Sequence, residues 1–227
     1  MKLSIIMPCY NESATVAEIL KKVLAVDVDK EIIFVDDGSS DNSVDIVKGF
    51  IGKCRLTIVK HDTNKGKGAA VKTGIKYATG DVIIIQDADL ETDPQDYLPI
   101  LNKFNDSGVN VVYGSRMLNT KNDRGNMLFW LARVFLSQIT NILYGSRISD
   151  METCYKAVRS DVIKQLAIKS NSFDFEPEIT AKLLKSGYKI KEVPIKYYPR
   201  TTQEGKKINM GDGFKAIWTL IKYRFTE

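Results

Sequence analysis

The chain of 227 residues has one histidine, His61. A single imidazole cannot build a multi-histidine metal centre, and a Ser–His nucleophile pair is all but excluded; His61 reads as a strand-end or loop residue. The three cysteines, Cys9, Cys54 and Cys154, are far apart and in no metal-ligand spacing, so they read as reduced thiols of a cytosolic protein. No leader pattern precedes the first apolar run, because Met1-Lys2 leads straight into LSIIMPCY. No apolar stretch approaches the roughly 20 residues that cross a bilayer. The GxxxxGK[ST] phosphate loop is missing, as are repeats and low-complexity linkers. What remains is an ordinary globular composition, 44% hydrophobic and 27% charged.

The charge is unevenly placed. From Lys185 onward ten Lys/Arg face four Asp/Glu, a balance of +6, whereas the first 184 residues carry 23 basic against 24 acidic, a balance of −1. A basic tail suits an anionic surface, either membrane lipid or nucleic acid. The tail carries no base-reading motif, so nucleic acid is not an expected partner.

Short apolar runs alternate with helical patterns through the first 117 residues. LSIIMPCY reads as a buried strand, with Asn11 or Ser13 capping a helix that lines up Val16, Ile19, Leu20, Val23 and Leu24. EIIFVDDGSSD repeats the plan, with Ser40 or Asp41 as the next cap. RLTIVKHD is a weaker third strand, and NKGKGAAVKTGIKYATG a Gly-rich turn entering a helix closed by Gly80. A fourth strand over residues 82–85, a helix from Pro94 to about Asn105 and a fifth strand, VNVVYGSRM, complete a doubly wound, mostly parallel α/β sheet. Beyond it, residues 119–126 read as a mobile loop and 127–143 as a helix apolar on nearly all sides, either core or membrane-associated. DMETCYKAVRS is strand-like, FDFEPEITAKLLKSG helical, YKIKEVPIKYYPR a half-exposed strand, and residues 201–213 a basic loop. Phe214, Ile217, Trp218, Ile221 and Phe225 share one side of a last helix, with Lys215 and Lys222 opposite. That helix suits a membrane interface, or docking on the domain or on a second subunit. The expected division is a domain over residues 1–205, with a nucleotide-binding half (1–117) and an acceptor half (118–205), then a basic amphipathic helix over 206–227.

The stretch that organises the site is DVIIIQDADLETD, residues 81–93. Four apolar residues form a strand that delivers Asp87, Asp89 and Glu91 at its carboxyl end. In an extended or turning segment alternate positions point the same way, so three carboxylates aim at one point and repel unless a cation sits there. Hard oxygen donors favour Mg²⁺ or Mn²⁺; the plain alternative is a solvated acidic turn. Asp36 and Asp37, at the end of the second strand, are placed to bind a base or ribose, or else serve a turn and helix cap. Pro8, Tyr10 and Glu12 line the edge of the same crevice, where Tyr10 could stack on the base. In NKGKGAA the glycines allow close backbone approach and Lys67 could meet a diphosphate, or the segment is a structural turn.

In order along the chain, PCYNE, DDGSSD, NKGKGAA, DADLETDP and YGSR resemble family 2 glycosyltransferases of the GT-A fold. Over about residues 1–200 the chain is similar to dolichol-phosphate mannose synthases and bacterial polyprenyl-phosphate glycosyltransferases. The resemblance implies a nucleotide-diphospho-sugar donor, a divalent metal at Asp87, Asp89 and Glu91, inversion at the anomeric carbon, and a polyprenyl or dolichyl phosphate acceptor. It also implies that Arg116, Arg124 and Arg200 handle acceptor phosphate and donor diphosphate. Three departures stand out: Glu91 where those mannose synthases usually carry Gln, DMETCYK in place of a Thr-Gly-containing stretch, and none of the transmembrane helices into which many relatives continue. The QxxRW element of processive polysaccharide synthases is missing as well.

The chemistry fits this resemblance. A saccharide or protein hydroxyl acceptor needs a carboxylate base, whereas a lipid phosphate is already anionic and needs only orientation and charge compensation. Arginine is the side chain suited to bidentate phosphate contact, and Arg116, just after a strand end, is the foremost candidate, while Arg133 inside its apolar helix could merely snorkel. Glu152, Asp174, Glu176 and Glu178 remain as carboxylates for sugar hydroxyls or for base work. The expected setting is the cytoplasmic face of a membrane, held peripherally, with a membrane-anchored partner or homo-oligomer possible.

Overall fold

The computed structural model describes residues 1–122, 126–200 and 210–226. Its centre is a seven-stranded sheet in the order β3-β2-β1-β4-β6-β5-β7. The strands are β1 (Leu3–Cys9), β2 (Lys30–Asp36), β3 (Leu56–Lys60), β4 (Val82–Ile85), β5 (Val111–Ser115), β6 (Lys156–Arg159) and β7 (Ile190–Pro194). All pairings are parallel except those of β6, which runs antiparallel to both β4 and β5. The reversal places the start of β6 at the edge where β1, β2 and β4 end.

Both faces of the sheet are covered, and the strand sequences state why. Along β1, β2 and β4 alternate residues enter opposite cores: Ile5, Met7, Ile32, Phe34, Val82 and Ile84 pack on one side, and Ile6, Ile33, Val35, Ile83 and Ile85 on the other. A strand buried on two faces needs apolar residues at consecutive positions, the run that its sequence shows. Each such side chain taken from water contributes roughly 1.5–3 kcal/mol before entropy is counted. Helices α1 (Val16–Ala25), α2 (Ser43–Lys48), α3 (Lys67–Tyr77), α4 (Tyr97–Lys103), α6 (Ser160–Gln165) and α7 (Phe175–Lys185) provide the cover, with a 3-10 turn at Pro94–Asp96 leading into α4.

The expected caps differ in detail. Thr15, not Asn11 or Ser13, precedes α1. Asn11 sits at φ 54, its N–H donating to Ser39 Oγ and its Oδ1 accepting from Ser40 N, while Ser13 N donates to Asp41 Oδ2. These residues tie the loop after β1 to the loop after β2 instead of capping. Asn42 precedes α2, with Asp41 Oδ1 accepting from Ser43 N. Helix α3 gives way to extended conformation at Ala78, short of Gly80; Gly80 instead lies against β1, where a Cβ would stand 2.7 Å from Lys2 O.

Two helices stand apart, α5 (Met127–Tyr144) and α8 (Met210–Phe225). They form a third core with α7 through Leu136, Ala181, Ala216, Leu220 and Tyr223, and Tyr144 Oη donates to Leu220 O at 2.7 Å. Helix α8 therefore docks by the face that carries Ala216, Leu220 and Tyr223. The aromatic side read from the sequence points outward, with Phe214 75%, Trp218 67% and Phe225 79% exposed. Helix α5, at 18 residues, reaches the length and apolar composition of a bilayer span, contrary to the expectation that no stretch comes close. It is not a core helix either, since Leu136, Ser137 and Thr140 alone are buried. The basic loop expected over 201–213 gives way to helix from Met210; residues 201–209 lie outside the described set, as do 123–125 of the expected loop 119–126.

Candidate functional site

A cleft of about 480 Å³ opens at the carboxyl ends of β1 and β4 and runs out between α5 and α8. Pro8, Tyr10, Glu12, Asp37, Lys67, Asp87, Asp89, Glu91, Arg116 and Arg200 all line it. Of the other expected residues, Asp36 is fully buried beneath the wall, accepting from Ser39 N at 3.3 Å, and Arg124 falls outside the described residues.

Asp37 reaches the cleft, and its carboxylate organises the turn before α3. Oδ1 accepts from Lys65 N at 2.9 Å and Oδ2 from Gly66 N at 2.7 Å, while His61 Nδ1 stands 2.7 Å from Oδ1. His61 is thus a strand-end residue, buried, with Nε2 2.9 Å from Thr73 Oγ1. The glycines of this turn make room for protein. At Gly66, φ is +96 and a Cβ would meet Asn171 O at 2.4 Å; at Gly68 it would meet Ser170 O at 2.8 Å. The turn delivers Lys67, whose ammonium lies 2.8 Å from Asp87 Oδ1 and 3.0 Å from Glu176 Oε1. Glu176 in turn holds the fully buried Lys156, Nζ to Oε2 2.5 Å.

The acidic exit of β4 departs from the simple expectation. Among the described residues no three His, Cys, Asp or Glu groups converge as a ready metal cage. The strand ends at Ile85 and the chain bends from Ala88 to Glu91 instead of staying extended, and Asp89 Oδ1 turns back to accept from Glu91 N at 3.0 Å. Basic groups stand beside each carboxylate: Lys67 at Asp87, and Arg200 at Asp89 (2.7 Å), Glu12 (3.3 Å) and Glu91 (3.7 Å). Burial, with Asp87 and Glu91 nearby, still pushes the Asp89 carboxyl up to about 7 against the pull of Arg200. This pocket has more negative charge than it can ionise comfortably.

Farther along the cleft the arginines gather. Arg116 makes a bidentate pair with the buried Asp150, Nε–Oδ2 2.7 Å and Nη2–Oδ1 2.7 Å. Its guanidinium lies 5.2 Å from the Tyr197 ring centroid, and that of Arg133 lies 5.2 Å from the same ring. Burial, followed by the charge of Arg116, lowers the Arg133 pKa. Arg133 is therefore a cleft residue and not a snorkelling one. Asp150, Lys156 and Tyr197 had no role in the sequence reading; only the folded sheet brings them to the site.

Glu152 also lines the cleft, and its Oε1 is sealed from solvent without a hydrogen-bond partner. Burial first, with Glu176 and Asp150 adding and Lys156 and Arg116 opposing, pushes its pKa from 4.5 up to about 7. The native state therefore holds a proton that the unfolded chain releases at lower pH. The stability this group contributes is complete below about 4.5 and is lost as pH rises through about 7. Glutamine does not titrate, so the melting temperature of Glu152→Gln minus that of the wild type will rise between pH 4.5 and 7.5 in a fluorimetric melt. A flat difference would contradict the burial of this carboxyl. Asp174 and Glu178 do not line the cleft, and Glu178 caps the backbone N–H groups of Lys169 and Ser170.

Residues 4–167 match the family model described as glycosyl transferase family 2. An uncharacterized protein of Methanocaldococcus jannaschii is 30% identical over 227 residues, 97% of this chain and 91% of its own length. The dodecaprenyl-phosphate galacturonate synthase of Rhizobium johnstonii is 27% identical over 99% of the chain and 67% of that protein. The undecaprenyl-phosphate 4-deoxy-4-formamido-L-arabinose transferase of Edwardsiella ictaluri is 30% identical over 90% of the chain, which spans 62% of that protein's length. Among solved structures, glucosyl-3-phosphoglycerate synthase of Mycobacterium tuberculosis, in complex with Mn²⁺, UDP and phosphoglyceric acid, superposes with a TM-score of 0.77 at 18% identity, covering 100% of this chain and 79% of that one. S. aureus TarS in complex with UDP-GlcNAc gives 0.68 at 18% identity, covering 100% and 68%. At those identities the structural likeness is one of fold. A family match that runs from β1 past the end of α6, on a sheet of this order, settles the class: the chain belongs to glycosyl transferase family 2 and has the GT-A fold.

Proposed function

We propose that this glycosyltransferase moves a hexose of mannose or glucose type from a nucleotide-diphospho-sugar to a polyprenyl or dolichyl phosphate, with inversion and with Mg²⁺ or Mn²⁺. The observation that carries this reading is the pair of guanidiniums, Arg116 and Arg133, each 5.2 Å from the centroid of the one Tyr197 ring. They stand at the inner end of a passage walled by Phe129, Ala132, Leu136 and Ala216. Asp150 neutralises one of these two like charges, an anion would neutralise the other, and an apolar passage admits a prenyl chain behind a phosphate. A phosphate monoester oxygen is already a nucleophile, so the residues here need to orient and neutralise rather than deprotonate. The names of two relatives contain dodecaprenyl and undecaprenyl phosphate.

The donor would lie with its nucleoside by Pro8, Tyr10 and Glu12 and its diphosphate toward Lys67 and Arg200. Asp87, Asp89 and Glu91 are hard oxygen donors in a pocket with excess negative charge, a fit to a divalent cation shared with the diphosphate. Bound there, such an ion would serve as a Lewis acid on the leaving diphosphate. Arg200 would then release Asp89 and turn to the phosphates. The outward faces of α5 and α8, with exposed Leu131, Phe135, Phe214 and Trp218 beside Lys215, Lys222 and Arg224, suit peripheral contact with the cytoplasmic face of a membrane. A membrane-anchored partner or a second copy could cover the same surface. A hydroxyl acceptor, with Glu152 as base, is the second reading, favoured by that carboxyl's raised pKa.

Purified protein, Mn²⁺, radiolabelled GDP-mannose or UDP-glucose, and vesicles containing polyprenyl phosphate test the proposal. The expected product is extractable into organic solvent and labile to mild acid. Transfer to a soluble saccharide, with polyprenyl phosphate inert, would overturn it in favour of the second reading.

A further inference from the structure

Among the described residues three buried side-chain atoms lack a hydrogen-bond partner, Glu152 Oε1, Glu176 Oε1 and Arg200 Nε, and all three residues line the one cleft. Buried polar atoms are nearly always satisfied, so their concentration here marks where a ligand's polar atoms belong. Glu176 Oε1 at least has the ammonium of Lys67 as an ion-pair partner at 3.0 Å. Glu152 Oε1 has no such partner.

The sheet order sets out the ligand. Nucleotides lie over the strand ends at a topological switch point, here between β1 and β4, with Tyr10 and Asp37 on its β1–β2 side. One strand along, β4 presents Asp87 and Asp89, where a diphosphate would lie. The next strand is β6. Because β6 runs antiparallel to β4, the segment leading into it, with Glu152, stands at this same edge, and Glu176 from the first turn of α7 stands beside it. The group beyond the diphosphate, the sugar, meets these carboxylates.

At this end of the cleft the cations are already engaged. Lys67 holds Asp87 and Glu176, Lys156 holds Glu176, and Arg116 holds Asp150. With Glu152 ionised, Lys67 and Lys156 face three carboxylates: Asp87, Glu152 and Glu176.

We infer that Glu152 is the specificity-determining residue for the transferred sugar: its free oxygen accepts hydrogen bonds from hydroxyls of a neutral hexose, and its place in a cation-saturated corner excludes sugars that carry a carboxylate. This deepens the donor reading above and rests on it. Oε1 keeps acceptor lone pairs whether or not the carboxyl is protonated, so hydroxyl recognition persists across neutral pH. A uronic acid brings a second acid into a corner whose cations, Lys67 and Lys156, are already paired, and burying an unpaired charge is strongly unfavourable.

Calorimetric titration with Mn²⁺ at pH 7.5, on the wild type, Glu152→Gln and Glu152→Ala, tests this with UDP, GDP, UDP-glucose, GDP-mannose and UDP-glucuronate as probes. The nucleoside diphosphate that binds the wild type should bind both variants equally, which also reports that they are folded. The wild type should prefer a neutral hexose donor over the hexuronate by at least about tenfold. Glu152→Gln, whose amide oxygen still accepts and whose charge is gone, should keep the neutral donor within a few fold and admit the hexuronate. Glu152→Ala should weaken the neutral donor by up to about tenfold, the worth of a hydrogen bond. Equal binding of neutral and uronic donors by the wild type, or an unchanged neutral donor in Glu152→Ala, overturns the inference while the donor site stands. Failure of both UDP and GDP to bind overturns the donor reading, and this inference with it.

Discussion

Asp89→Asn will cut sugar transfer by about 10²–10³-fold or more while leaving the protein folded and at least as resistant to heat as the wild type. The loss follows from position. Asp89 is the buried carboxylate between Asp87 and Glu91, and removing one charge-stabilising group from a site that binds a departing diphosphate typically costs that much. The stability expectation has the opposite sign, for a stated reason. The folded protein raises the Asp89 pKa to about 7 from its ordinary value of 3.8, so above pH 7 the native state must keep ionised a group that its surroundings disfavour. Asparagine is nearly isosteric and carries no charge, and Arg200 keeps Glu12 and Glu91 as partners. Rates with Mn²⁺ and a sugar nucleotide, alongside melting curves at pH 8, check both halves. An active Asp89→Asn would remove Asp89 from the proposed diphosphate site; an inactive one that melts far below the wild type would show a structural role instead.

The parts of this protein legible in its sequence are those where local pattern and burial agree. β1, β2, β4 and β5 announce themselves because strands covered on both faces are continuously apolar, and the acidic exit of β4 follows from the same register. Helix caps were harder to read. Asn11 and Ser13 are good cap residues by type, yet partners 28 and 29 residues away, Ser39, Ser40 and Asp41, claim them. Helix α8 misleads for another reason. Its most apolar and aromatic stripe, Phe214, Trp218, Ile221 and Phe225, lies on the face turned away from the protein, and docking uses Ala216, Leu220 and Tyr223, an equally periodic set that is less apolar by composition. The part of the cleft lined by Glu152 and Glu176, with Asp150 and Lys156 buried behind it, is not legible as a unit, because the segment into β6 reaches this edge only through the reversed direction of that strand, and Glu176 arrives from α7. For Asp87, Asp89 and Glu91 the sequence argument rests on alternation, which holds in a strand, and the strand stops at Ile85.

Asp150→Ala will destabilise the fold by about 3–5 kcal/mol and abolish transfer, a larger structural effect than any substitution at the donor end. Asp150 is fully buried and accepts from Arg116 N, Nε and Nη2. Its own N–H donates to Glu192 Oε1 at 3.1 Å, so the loop before β6 is tied to β7 through this residue. Arg116 holds the Asp150 carboxyl below the usual range despite its burial. Remove the carboxylate, and a guanidinium stays buried at the Tyr197 ring with a second one, Arg133, at the same distance from its centroid. An uncompensated buried charge of that kind costs about the amount stated. The double variant Asp150→Ala/Arg116→Met separates charge from packing. With both charges gone it should recover most of the lost stability in urea titrations, yet remain inactive because the proposed acceptor site has lost an arginine. If the double variant were no more stable than Asp150→Ala, the loss would lie in the hydrogen bonds of the loop and not in the stranded arginine. If it transferred sugar normally, Arg116 would have no part in holding the acceptor.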